Sequence, residues 1–261
     1  MSIKHARILA GILVAAVVAT GAAAQEPDAE EITRTGSIAD DLFLYGHTIT
    51  VRAEVSGEVI LMGGEVNLPA TVEDDVVVMG GDISVGYTIA GDVIAAGGHV
   101  VTQGAIGGSV TAVGGDVTLD GVISGDALIA GGSVTADGAI AGKLRMMGGE
   151  ILNRAEVAGS LLAAGGQVVL DSLSRVAGSA RLSGAHVEIG GSIGRNLEVL
   201  ARTIEIAGDI SGDVTLRGVD ITILPSARIG GDLVYRSAKE ADIHADAQIA
   251  GDITFIYSQA P

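Results

Sequence analysis

The chain has 261 residues, 40 of them Gly, with no Cys, no Trp and a net charge of −17. The missing Cys excludes a disulfide framework and thiolate catalysis. The acidic balance disfavours nucleic acid and anionic lipid surfaces, both of which need clustered Lys and Arg. Apolar residues reach 48% while aromatics reach only 2%, so Val, Ile, Leu and Ala must fill a narrow interior without the ring area of a thick globular core.

Lys4 and Arg7 precede an apolar run from Ile8 to Ala19, and Ala22-Ala23-Ala24 follows. A basic start, a short apolar stretch and a small-residue site form a secretory signal pattern, with Gln25 as the mature start. Residues 1–24 therefore read as a signal peptide, and the protein as exported to the periplasm or cell envelope. The rival reading is an uncleaved anchor, for which the run is short. Residues 25–37 (QEPDAEEITRTGS) are polar and acidic and read as a flexible lead-in.

Beyond this point self-similarity dominates. Gly-Gly doublets begin at Gly63, Gly80, Gly97, Gly114, Gly131, Gly148 and Gly165, a constant spacing of 17. A period this short suits one coil of a β-solenoid. We number each coil from the residue five before its first Gly. Position zero is then always polar, from Asp41, Glu58, Asp75 and Asp92 to Asp252. Gly usually precedes it, which reads as a tight corner where Gly supplies unusual backbone angles. Positions one, three, eight, ten and about fourteen carry the inward apolar side chains, in the period-two pattern of strands. The prediction is an all-β, single-stranded parallel β-helix over 38–257. It has three strands per coil and about 13 coils, and 258–261 form a tail. Two insertions, near Asp171–Arg175 and Leu224–Arg228, should bulge between the second and third strands.

The phrase Gly-Asp-Val, as in Gly91-Asp92-Val93 and Gly212-Asp213-Val214, set between β-type stretches at this period, resembles the bactofilins. These are a bacterial polymer-forming cytoskeletal family. The resemblance covers 38–257 and implies a right-handed triangular β-helix that polymerises end to end without nucleotide. The chain departs from that family in its leader and its larger number of coils.

On the second strand the outward positions are polar. On the first strand they are apolar. Position two carries Phe43, Ile60, Val77 and Ile94, and position four carries Tyr45, Met62 and Met79. This face runs through coil 8 and turns polar at Arg181 and Ser183. It amounts to roughly 400 Å² or more, near the size that marks an interaction site. Lateral pairing with another copy is the leading expectation, ahead of a face without a partner, covered by a loop or the N-terminal segment or tolerable because of its small Ala and Val residues, and ahead of another protein or a lipid surface. Tyr235, Phe255 and Tyr257 gather at the C-terminal end, where they either cap the open core or make an end-to-end contact.

Catalysis is not expected. His47, His99, His186 and His244 are scattered and lack nearby nucleophiles, and the corners are too short to build a cleft. The doublets lack the third Gly and spaced Asp of calcium-binding nonapeptides. Carboxylates of Glu58, Asp75 and Asp92 stack one per coil and could offer oxygens to Ca²⁺, but solvated corners are the plainer reading, so no metal and no cofactor are assigned. The expected role is a structural, self-associating scaffold of the cell envelope. An exported adhesin or binding module for a protein or glycan is the alternative.

Overall fold

The computed structural model describes residues 31–258. The expected signal peptide, residues 25–30 of the lead-in and residues 259–261 of the tail lie outside the described residues. The described chain is an all-β parallel solenoid of about 13 turns with ~17 residues per turn. Its strands pair in register one coil apart: Leu42 beside Val59, Val59 beside Val76, and so on to Leu233 beside Ile253. At the parallel-strand spacing of ~4.8 Å, the stack is about 60 Å long.

In the early coils the three predicted strands run together as one bent strand, such as Val59–Val72 or Val93–Ile106. Late coils resolve them separately, as Val214–Arg217, Asp220–Ile223 and Arg228–Ile229. The inward columns are buried throughout: Val59, Leu61, Val66, Leu68 and Val72 within one coil, with equivalents above and below. Branched aliphatic side chains suit a core only a few side chains wide, because each stacks on its own kind in the next coil.

The first bend uses the Gly-Gly doublets. A Cβ on Gly80 would lie 2.7 Å from the Gly63 carbonyl oxygen, and one on Gly81 would lie 2.8 Å from that of Gly64. The glycines let successive coils stack where the chain turns, since a side chain has no room there.

The start of the solenoid differs from the sequence expectation. Glu31–Ile38 is a strand paired with Thr48–Val55, so residues 31–37 belong to the solenoid and not to a flexible lead-in. Ile32 and Ile38 continue the inward columns of Ile49 and Val55, and Ile32 is buried. Two apolar side chains in the right phase, facing an open parallel edge, outweigh an acidic average composition.

The insertions lie where expected. Ser174 N–H donates to the Asp171 carbonyl, and Ala227 N–H to that of Leu224, closing short turns between the second and third strands. A third turn, closed by Ala247 N–H on the His244 carbonyl, repeats the second insertion, and one more residue between Arg236 and Asp242 completes the long final step. Asn153 enters the core column and donates to Ser174 Oγ at 2.6 Å, tying the first insertion to the coil below.

Thr102 interrupts the column between Val85 and Leu119, with its hydroxyl buried and unpartnered. Valine has the same shape without the hydroxyl, so Thr102→Val is expected to stabilise the fold by about 1 kcal/mol. A rise in Tm with an unchanged circular dichroism spectrum checks this.

Candidate functional site

The apolar face is built by the first strand of each coil. Register aligns Phe43, Ile60, Val77, Ile94, Thr111, Leu128, Arg145 and Leu162 in one column. Tyr45, Met62, Met79, Ala96, Val113, Ala130, Met147 and Ala164 form the other. All seven residues singled out from the sequence lie on this face. Tyr45 is 52% exposed and Met147 56%, while Phe43, Ile60, Met62, Val77, Met79 and Ile94 are half-buried between neighbouring coils. Arg145 is the one charge in either column, and it pairs with Asp126 at 3.7 Å on the corner beside it. The face is flat because its backbone is a regular parallel ladder.

The C-terminal end separates the three predicted end residues. Tyr235 is only 4% exposed and faces inward, stacked on Phe255 with centroids 5.1 Å apart. Their position-three side chains close the core from above, a capping role. Tyr257 is 64% exposed, and Ile253 at the other end of the same strand is 50% exposed, so these two remain available for contact.

The polar corner has a use that the sequence did not disclose. Asp75 Oδ1 accepts the Asp92 N–H at 2.7 Å, and Asp92 Oδ1 accepts the Ser109 N–H at 2.7 Å. Asp41, Ser109, Asp126, Asn196, Asp213 and Asp232 do the same for the coil above. Side chains thus join the backbone carbonyls in carrying the inter-coil ladder around the corner. Among the described residues no three or more His, Cys, Asp or Glu side chains are arranged to hold a metal ion.

This ladder corrects the reading of the corner glycines. Their φ values are ordinary; among the described Gly residues, only Gly36, Gly104 and Gly138 have positive φ. Each corner glycine is needed for space. A Cβ on Gly91 would collide with Asp75 Oδ1, and one on Gly108 with Asp92 Oδ1. In every coil whose side chain accepts such a bond, the residue before the donating N–H is Gly. Where Glu58 holds the corner instead, the residue in the coil above is Asp74.

Glu58 carries the perturbed carboxyl. Partial burial, then the nearby charges of Asp41, Asp75 and Asp74, raise its pKa above 4.5. The folded state therefore binds this proton more tightly than the unfolded chain, and ionising Glu58 destabilises the fold. The penalty is absent well below pH 4.5 and grows as pH rises through the raised folded value. Glu58→Gln is expected to raise Tm at pH 7 and to leave it unchanged in acid. Paired melting curves across this range test the sign.

A second surface lies at the bend that the Gly-Gly doublets form in earlier coils, beyond the apolar face. Arg202, Arg217 and Arg236 line a groove of about 710 Å³ with Ser183, Ser237 and Leu200. Among the described residues none of these arginines forms an ion pair. The nearby Asp220 carboxylate is held by Lys239 at 2.6 Å. In the sequence Arg217 reads only as a loss of apolar character. Threading all three arginines, at positions four and six, is the signal that would draw attention to them. Among the described residues no helix is long and apolar enough to cross a membrane. The chain matches no protein-family profile, no curated protein and no solved structure.

Proposed function

We propose that this protein is a non-catalytic structural element of the cell envelope that assembles with itself. The single observation that carries this reading is the exposed apolar face of coils 1 to 8. Two parallel sheets stack about 10 Å apart through such faces. Eight coils, each one short strand wide, present roughly 600 Å² per copy, close to the ~800 Å² per partner of a stable interface. A second copy is the favoured occupant because its face has the same flatness, length and rib spacing. The exposed Tyr257 and Ile253 at the C-terminal end favour additional end-to-end stacking, in line with the bactofilin-like Gly-Asp-Val pattern. The N-terminal signal pattern supports export.

Negative-stain microscopy and sedimentation of Gln25–Pro261 test the reading. Paired rods, sheets or filaments without added cofactor are expected. Single rods that stay dispersed at high concentration would remove it. If such rods then captured a glycan through the exposed Tyr87, beside Asn67, Ser84 and Gln103, the protein would be a binding module instead.

A further inference from the structure

The arginine groove calls for an anionic occupant. Arg217 and Arg236 are register partners one coil apart, and Arg202 lies beside them under Val219. Like charges directly opposite on adjacent strands destabilise a sheet. In a chain of net charge −17, three guanidinium groups sharing one groove without a carboxylate mark a place reserved for a counter-charge from outside the described fold.

The chain itself holds a segment of matching charge. Residues 25–30 read Gln-Glu-Pro-Asp-Ala-Glu, with carboxylates at Glu26, Asp28 and Glu30. The segment joins the solenoid at Glu31, which is in register with Thr48 at the start of the second strand. Its junction with the solenoid therefore lies beside the bend edge, the same edge that carries the arginine groove at the other end of the rod. Within one copy the two are separated by most of the rod length.

Resting on the self-association reading above, we infer that the apolar faces pair antiparallel. The acidic segment 25–30 of each copy then enters the arginine groove of the other. A two-fold axis in the interface, perpendicular to the rods, sets coil 1 opposite coil 8. It also keeps the two bend edges on the same side. The partner's Glu31–Ile38 strand then lies opposite coil 9, and its preceding residues continue toward coils 10 to 12. Six extended residues reach about 20 Å, and coils 9 to 12 span about 14 Å. Three carboxylates meet three guanidinium groups, twice per dimer, as two-fold symmetry requires. Parallel pairing would instead gather both acidic segments at one end and leave both grooves unmatched.

The test uses Gln25–Pro261, which holds every described residue. Arg202→Glu/Arg217→Glu/Arg236→Glu and Glu26→Lys/Asp28→Lys/Glu30→Lys are each expected to weaken the dimer by about tenfold or more by sedimentation equilibrium. Combining both sets should restore association to near the native value. The native chain has no Cys, so Tyr45→Cys with Ala164→Cys should cross-link the first substituted site to the second. Cross-linking of Tyr45→Cys to itself, or failed rescue with pairing intact, would overturn the antiparallel arrangement while leaving self-association standing. An unchanged dimer in the Arg variant, with loss only of inorganic phosphate binding, would make the groove a small-anion site instead. A native chain that is monomeric at every concentration would remove the underlying reading itself.

Discussion

Replacing Ile60, Val77 and Ile94 together by Lys is expected to leave a monomeric rod. These side chains are adjacent in one column and half-buried by their neighbours alone. Packed against a second copy they lose the rest of their water. An ammonium group at each site would have to be desolvated without a partner, and a two-fold dimer doubles the number of sites. The expected loss is about a thousandfold or more in the dissociation constant. Folding itself should suffer little, because the charges stay in solvent in the single rod. Stacking three like charges also costs something along the ladder. Thr50→Lys/Asn67→Lys/Ser84→Lys supplies the control, since these residues stack at the same spacing on the polar second strand. That variant should assemble normally. Equal losses in both variants, or none in either, would show that the first-strand face is not the contact.

Gly212→Ala is the second large expected effect, this time on stability. The added Cβ would collide with Asn196 Oδ1, which accepts the Asp213 N–H at 3.2 Å. Overpacking of this kind costs about 1–3 kcal/mol. Asn196→Ala, which removes the acceptor, costs about 1 kcal/mol. The two should not add. Asn196→Ala removes the nearest contact, while the methyl group that Gly212→Ala introduces still crowds the Arg195 backbone at 2.9 and 3.0 Å, so only part of the overpacking is relieved. The double variant is therefore expected to be more stable than additivity predicts, by about 1 kcal/mol. Strict additivity in urea denaturation would mean that Gly212 serves the backbone conformation alone. Its ordinary φ argues against that.

Much of this architecture is legible in the chain itself. Repeats of 17 residues carry the register, because every column of a parallel stack is the same phase of the period. Inward residues such as Val59 and Val76, the outward Ile60 and Val77, and the insertions after Leu170 and Ile223 all follow from phase alone. The lead-in misleads because an average over residues 25–37 hides Ile32, the buried apolar side chain there.

The corner and the groove are less legible, for a related reason. A glycine before a polar residue looks the same whether it relieves backbone strain or makes room for a neighbour. Gly91 belongs to the second kind because the carboxylate of Asp75 and the backbone of Asp74, in the coil beneath, reach into the space a Cβ would take. Likewise Arg202, Arg217 and Arg236 are three unrelated basic residues until stacking sets them along one groove that no carboxylate lines, the nearby Asp220 being held by Lys239. The one-dimensional pattern thus determined the fold, the register and the apolar face, all of which depend on period and polarity. The use of each corner side chain and the convergence of the arginines were decided by the stacking of coils, since they depend on what lies one coil away at contact distance.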